Sequence, residues 1–530
     1  APLEFNSLKF AIFFALLVLL YFAPFMRRAW RQNMLVLAGS YLFYGCWDWR
    51  FLGLILLTTV TSFFTGIAVE KHSRSGRIAL IANIVLNIGI LCAVKYCNFF
   101  GENIAWLLSW LGWEVDWVFL NILLPVGISF YTFQAIGYTV DVWRGELPAT
   151  RDPLLFATYI AYFPQLVAGP IEKAARLLPQ LSVTHHWHYP RAVSGLRQIL
   201  WGLLKKIAIA DPAGSWVSEI YGADDPSGIS IYLATVLFAI QVYCDFSGYC
   251  DIAQGTARIL GVELMDNFRR PYFSRSFLEF WQRWHISLMR WFTSYVYIPL
   301  GGSRRGPVMT YVNIFIVFAL SGLWHGAAWN LVLFGVVSGL VCMAERLIGV
   351  KSYKGAPPAS FRELPQVLRM FLIYLSVVIF FRQPSPGMAL EWNLRYLLPY
   401  SAIIYIGFMA LWTIFTKMSF FSDATGKRAA GILPRVAPWS LFLLIASASA
   451  VVLALVFRQE FWFHLYWFSG IVLLACEWHT RNRGIDLCPY PRQRRLRFVC
   501  YYLIYFVILA YGFLTLPPAA NDTQFIYFQF

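Results

Sequence analysis

Apolar residues in this chain fall into long uninterrupted runs. They cover Leu8–Phe25, Phe51–Val69, Ile78–Val94, Trp117–Val140, Ile229–Val242, Tyr311–Leu320, Leu331–Met343, Val367–Phe381, Ala402–Phe415, Ser440–Phe457 and Phe498–Leu516. Shorter runs cover Met34–Phe43, Leu154–Ala168 and Ile471–Cys476. About 20 apolar residues suffice for a helix to cross a bilayer, and in hydrocarbon only helices and closed barrels satisfy every backbone polar group. The pattern predicts an all-α polytopic membrane protein with about 10–13 membrane helices, the shorter runs being re-entrant or interfacial. No soluble domain, fixed-period repeat or long low-complexity linker stands out. Residues 1–530 read as one membrane-embedded domain, with the motif-rich part at about 120–345.

Composition strengthens this picture. Of the 530 residues 59% are hydrophobic and 13% charged, with mean hydropathy +0.58. Soluble domains carry about 25% charged residues, so the solvent here is lipid. The net charge of +16 does not point to nucleic acid, because the cations sit in short loops between apolar runs. Arg27, Arg28 and Arg31 form one group, Lys71, Arg74 and Arg77 another, and Arg481, Arg483, Arg492, Arg494, Arg495 and Arg497 a third. By the positive-inside rule these loops face the cytoplasm and touch anionic lipid headgroups, which places both termini outside. The first run lacks a preceding cationic segment and a small-residue cleavage site, which predicts a retained helix. The 9 cysteines form no C-x-x-C pair, and most read as small core residues.

Several polar groups interrupt the apolar pattern. In Leu124–Gly145, Pro125 and Gly127 break a helix, and Gln134, Tyr138, Asp141 and Arg144 follow near helical spacing. A break at membrane depth is tolerated against protein or a water-filled cavity, so this helix should line the interior. Asp141 and Arg144 read most simply as an i, i+3 ion pair at the interface. Phe163–Lys173 carries Pro164, Gly169 and Pro170, a broken insertion that shapes a cavity or ends a helix. Asp245 sits mid-run beside Gln241, Tyr243 and Ser247; it either orients a histidine or bonds Arg269, Arg270 or Arg283.

Two histidines stand out. Ser276-x-x-Glu279 is a capping-box signature that starts a helix near Phe277. Phe277, Trp281, Trp284, Leu288 and Trp291 then share a face, the pattern of a helix lying at the headgroup level. His285 borders that face; by pattern alone it fits a catalytic group or a histidine bonding a backbone carbonyl. His325 lies in SGLWHGAAWN between two apolar runs, where Gly322, Gly326, Ala327 and Ala328 permit close approach. An ionisable group at that depth is a functional candidate by default. The cluster His185, His186 and His188 has no carboxylate or cysteine at ligand spacing, so no metal is expected. Gly335 and Gly339 form a G-x-x-x-G that lets helices pack closely.

The motifs LPVGISFYTFQAIGYTVDVWRG (124–145), FPQLVAGPI (163–171), DFSGYCDIAQGTARILG (245–261), NFRRPYFSRSFLEFWQRWHISLMRWFTSYVYIPLGG (267–302) and SGLWHGAAWN (321–330) carry a resemblance. So do FNSLKF (5–10) and SYLFYGCWDWRFL (40–52). The chain resembles the membrane-bound O-acyltransferases, and within them the bacterial alginate O-acetyltransferase group. The resemblance implies a ring of membrane helices around a thin centre with a through-membrane tunnel. It implies His325 as principal catalytic residue and His285 as the second histidine, on the cytoplasmic side. Trp324, Asn330, Asp245, Ser247, Arg283 and Trp284 are candidates for lining or supporting the tunnel. The implied reaction moves acetyl from a cytoplasmic donor, acetyl-CoA, through the inner membrane toward an exported polysaccharide, with periplasmic proteins completing the transfer. No permanently bound cofactor is implied. Acyl transfer from a thioester to a hydroxyl needs a base, which a neutral His325 would supply. Cellulose, peptidoglycan and teichoic-acid D-alanylation are alternative acceptor systems, and a proton-coupled transporter is the alternative class, although the inverted repeats typical of transporters are not evident.

Overall fold

The computed structural model describes residues 3–113, 125–351, 353, 355–423 and scattered positions between 470 and 508. The runs Ser440–Phe457 and most of Ile471–Cys476 and Phe498–Leu516, with the basic loop at 481–497, lie outside the described residues. The described chain is mostly helical, with no strand among the described residues. Its helices are α1 (Leu8–Tyr21), α2 (Ala29–Gly45), α3 (Leu52–Val69), α4 (Arg74–Leu91), α5 (Cys97–Trp110), α6 (Ile128–Trp143), α7 (Pro153–Ala161), α8 (Phe163–Leu166), α9 (Ala174–Leu181) and α10 (Tyr189–Leu203). They continue as α11 (Asp211–Tyr221), α12 (Gly228–Leu260), α13 (Phe277–Arg283), α14 (Ile286–Phe292), α15 (Pro307–His325), α16 (Trp329–Leu347), α17 (Leu364–Arg382), α18 (Pro386–Trp392) and α19 (Leu398–Asp423). A π-helical turn, Cys92–Tyr96, joins α4 to α5, and another, Leu204–Ala210, joins α10 to α11.

Among the described residues, seven helical stretches are long and apolar enough to cross a membrane: Trp49–Val69, Arg74–Trp110, Gly228–Leu260, Pro307–His325, Trp329–Leu347, Phe361–Arg382 and Pro386–Ile414. The protein is an all-α, multi-pass membrane protein. Large apolar side chains such as Leu19, Phe64, Ile78, Val85 and Ile406 are exposed, as expected of surfaces that meet lipid.

Of the run Trp117–Val140, residues 117–124 lie outside the described residues, and the rest is interrupted where Pro125 and Gly127 predict. Gly127 takes a left-handed backbone (φ 76°) and α6 begins after it; a Cβ there would collide with the Leu166 carbonyl. The break lets α6 pass inside the fold, where it is buried along nearly its whole length. Asp141 does not pair with Arg144. It accepts a hydrogen bond from Tyr295 Oη at 2.7 Å and lies 3.9 Å from Lys173 Nζ, while Arg144 reaches Glu146 at 3.8 Å. Asp141 is buried, so a hydroxyl donor inside the fold satisfies it better than a cation at the rim.

Glycines set the closest helix pairs. Gly195 and Gly202 of α10 face Gly255 and Gly248 of α12, where an added Cβ would lie 2.6 Å from Gly255 O and 2.5 Å from Gly248 O respectively. Small residues let membrane helices approach in this way, since no hydrophobic force draws them together in lipid. Gly322 of α15 and Gly335 of α16 meet likewise, which is the packing role expected of the G-x-x-x-G.

Candidate active site

The site is built around the corner between α13 and α14. Ser276 Oγ accepts from Glu279 N at 3.1 Å and starts α13, as the sequence predicts. The reciprocal half of the box is replaced: Glu279 accepts instead from Arg275 N at 2.7 Å and from the Arg275 guanidinium at 2.9 Å. Glu345, reaching over from α16, accepts from Phe277 N at 2.9 Å and Leu278 N at 3.0 Å. A carboxylate on the first amides of a helix both caps them and complements its dipole. The short helix is thereby fixed at its start.

Its aromatic face is turned into the fold instead of outward, apart from the partly buried Trp291. Phe277, Trp281, Trp284 and Leu288 are all buried, with Phe280 stacked on Trp284 at 5.4 Å between ring centroids and Trp281 edge-on to Phe318 at 5.3 Å. The helix predicted to run through His285 breaks there, because His285 adopts a left-handed backbone (φ 43°). That turn folds the aromatic face inward against α15 and α17. A non-glycine residue in this region is strained, and such strain concentrates at functional sites.

Asn267 holds the corner. Its Oδ1 accepts from Ser287 N at 3.2 Å and Ser287 Oγ at 2.9 Å, and lies 3.1 Å from His285 Nδ1. Its backbone oxygen accepts from Ile286 N at 2.9 Å. Because a backbone N–H can only donate, the Asn267 atom it meets is the oxygen, so His285 Nδ1 is the protonated nitrogen. The lone pair of His285 is then on Nε2. Burial, with His325 nearby as a second cause, holds His285 well below the ordinary imidazole pKa, so it is neutral at pH 7.

His325 ends α15, and Gly326 continues as extended backbone. The two histidines meet across Trp324. The Trp324 ring lies 5.1 Å from His325 and 5.7 Å from His285, edge-on to both. Phe130 and Phe133 of α6 pack on Trp324 at 5.5 Å and 5.8 Å, and Phe381 of α17 lies 5.3 Å from His325. The result is two buried imidazoles enclosed by aromatic side chains, a chamber assembled from α6, α13–α14, α15 and α17.

The other sequence candidates are placed around this pair in different ways. Trp284 packs behind the corner, edge-on to Phe268 at 5.0 Å. Asn330 is buried in the first turn of α16, just past the His325 step. Arg283 is bonded to Glu279 at 2.7 Å, outside the chamber. Asp245, for which the sequence offered either a histidine or Arg269, Arg270 or Arg283 as partner, pairs with Lys206 at 2.8 Å, and Ser247 accepts from Lys205 at 3.2 Å. Both belong to an ionic layer between α12 and the π turn after α10, where Lys205 also meets Asp251 at 2.8 Å. Between them, Phe246 of α12 meets the His285 ring at 4.8 Å, edge-on.

Two contributors are not singled out in the sequence reading. Asn267 opens the motif 267–302 but has no periodic signal that sets it apart there. Lys95 donates to Trp324 O at 2.6 Å and His325 O at 3.1 Å, and its neighbour Tyr96 donates to Leu323 O at 2.8 Å. A lysine inside a membrane helix is itself a signal, but the run Ile78–Val94 stops one residue short of it.

A family model described as MBOAT, membrane-bound O-acyltransferase family, matches residues 144–380. A probable alginate O-acetylase of Azotobacter vinelandii is 36% identical over 353 residues, covering 66% of this chain and 69% of that relative. A peptidoglycan O-acetyltransferase of Helicobacter pylori is 29% identical over 417 residues, covering 71% and 77%. A teichoic acid D-alanyltransferase of Bacillus subtilis is 26% identical over 341 residues, covering 58% and 83%.

Proposed function

The chain belongs to the membrane-bound O-acyltransferase family, a multi-pass O-acyltransferase, and from that premise we propose that it moves acetyl groups from cytoplasmic acetyl-CoA through the bacterial inner membrane for O-acetylation of exported alginate. Proteins on the far side of the membrane complete delivery to the sugar. The observation that carries this reading is the pair of buried histidines on one tryptophan, His285 and His325.

In the transfer, an acceptor hydroxyl oxygen attacks the thioester carbonyl carbon while His325 takes the hydroxyl proton. The tetrahedral intermediate collapses, the C–S bond breaks, and the leaving sulfur receives the proton from His325. The new C–O bond is the acetyl ester. A positioned base contributes about 10²–10⁴-fold to such a step. The aromatic walls of the chamber exclude the water that would hydrolyse the thioester. His285, with its Nε2 lone pair fixed by Asn267, is the second station on the path. Support for alginate comes from the 36% identity to the Azotobacter relative, against 29% for the peptidoglycan enzyme.

The reading is tested with inverted membrane vesicles that carry the protein, enclose its periplasmic partners with alginate, peptidoglycan or cellulose in separate preparations, and receive radiolabelled acetyl-CoA on the outside. The expected result is label in base-labile ester on alginate. Ester on peptidoglycan or cellulose would replace the acceptor, and no consumption of acetyl-CoA would overturn the donor.

A further inference from the structure

We infer that Lys95 is a positioning residue for His325, acting by clamping the end of the helix that carries it. The inference rests on the catalytic reading of His325 given above. It concerns a residue outside the stretch 144–380 that the family model matches.

The last turn of any helix leaves carbonyls without intrahelical partners. Helices commonly satisfy them with a left-handed glycine that folds the following amides back. α15 ends differently: Gly326 goes directly into extended backbone (φ −174°), carrying the chain away from the helix. Its final carbonyls are served from another span. Tyr96 Oη donates to Leu323 O at 2.8 Å, and the Lys95 ammonium donates to Trp324 O at 2.6 Å and His325 O at 3.1 Å. Three successive carbonyls are thus held by two successive side chains.

The sequence neighbourhood explains how two adjacent residues can reach one helix end. Lys95 and Tyr96 lie in the π-helical turn Cys92–Tyr96, the wide turn between α4 and α5. Such turns are rare and occur often at functional sites. Lys95 Nζ also lies 5.9 Å from the Trp324 ring centroid and 5.7 Å from that of Tyr96, a cation–π arrangement on both sides. An ammonium at a helix C-terminus complements the negative end of its dipole.

A charged side chain within a membrane helix is costly and is retained where it has work to do. If satisfying carbonyls were all that mattered, a glycine or serine at the helix end would serve without burying a charge. Lys95 is instead bonded to the backbone of the two residues that form the reaction chamber, Trp324 and His325. Fixing those peptide planes fixes where both rings point. Misplacing a catalytic group by about 1 Å can cost about 10²-fold in rate.

The test compares the full chain with Lys95→Met, Lys95→Arg and Tyr96→Phe, reconstituted in liposomes, with folded protein quantified by size-exclusion chromatography. Lys95→Met is expected to lower kcat about 10- to 100-fold while donor KM moves less than about twofold, since ground-state binding is untouched. Lys95→Arg, which keeps the charge and donors, is expected to recover most of the rate. Tyr96→Phe removes one of the three bonds and is expected to lower kcat by a smaller factor, so it serves as the readout if Lys95→Met does not fold. In a His325→Ala background, Lys95→Met should add no further loss. Wild-type kcat in Lys95→Met, parallel changes in kcat and KM, wild-type kcat in Tyr96→Phe when Lys95→Met is unfolded, or a further loss in the His325→Ala background would each overturn the inference. Wild-type transfer by His325→Ala alone would instead overturn the catalytic reading beneath it.

Discussion

Replacing Asn267 with leucine separates what holds His285 from what His285 does. Leucine matches asparagine in size but offers no acceptor. It leaves three donors that now converge on Oδ1: His285 Nδ1 at 3.1 Å, Ser287 N at 3.2 Å and Ser287 Oγ at 2.9 Å. The serine hydroxyl can rotate to another acceptor; the other two are fixed. Each buried donor left unmet costs about 1–3 kcal/mol, so Asn267→Leu should lose roughly 2–6 kcal/mol of stability. The imidazole has one escape, which is to move its proton to Nε2. That relieves the orphan but blocks the lone pair facing the chamber. A net hydrogen-bond preference of about 1 kcal/mol sets the tautomer ratio at roughly fivefold, and looser ring orientation adds to the loss, so transfer should fall about tenfold or more. Asn267→Asp keeps the oxygen, and should restore the tautomer. Its negative charge favours the imidazolium, so the acid limb of its pH–rate profile should move to higher pH. The assay is acetyl transfer per folded molecule, measured from pH 5 to 8. A folded Asn267→Leu protein with wild-type turnover, or an Asn267→Asp profile superimposable on wild type, would refute the reasoning.

Asp245→Asn tests whether that carboxylate is structural. Breaking a buried ion pair costs about 3–5 kcal/mol, and the loss should fall at the lower end because Asp211 remains 2.8 Å from Lys206; thermal unfolding in detergent should drop while activity per folded molecule is unchanged. A large loss of specific activity without loss of stability would show that Asp245 serves the histidines after all. The depressed pKa of His285 also predicts a pH dependence of stability. Unfolded, the residue titrates near its ordinary 6.5, whereas folded it stays neutral to lower pH. The unfolded chain therefore binds the extra proton, and stability is full above about pH 6.5 and falls as pH drops toward the folded value. Wild type should lose Tm more steeply than His285→Asn between pH 7 and 5, and parallel curves would contradict this.

Hydropathy alone disclosed the membrane class, because apolar runs of spanning length have no other use. His325 was equally legible, since its cost in lipid marks it without any knowledge of neighbours. His285 was visible as a residue but not in its setting. Nothing in QRWHIS marks a chain reversal: no glycine or proline stands at the corner, and the left-handed turn is imposed by Asn267, eighteen positions away. The aromatic face around it therefore reads as interfacial, when packing against Phe318 and Tyr374 draws it inside. Asp245 illustrates the opposite difficulty. Its need for a partner was plain, but Lys206 lies on a different helix, brought close by the Gly202–Gly248 contact that no periodicity announces. Lys95 lay at the edge of an apolar run, where a lone cation passes for the end of a span.

The central claim is that His325 carries out acyl transfer, and a direct measurement is the single-turnover rate of His325→Ala in liposomes loaded with labelled acetyl-CoA. The account predicts a folded protein that binds donor normally and transfers acetyl at least about 10²-fold more slowly than wild type. A rate within a few-fold of wild type would contradict it.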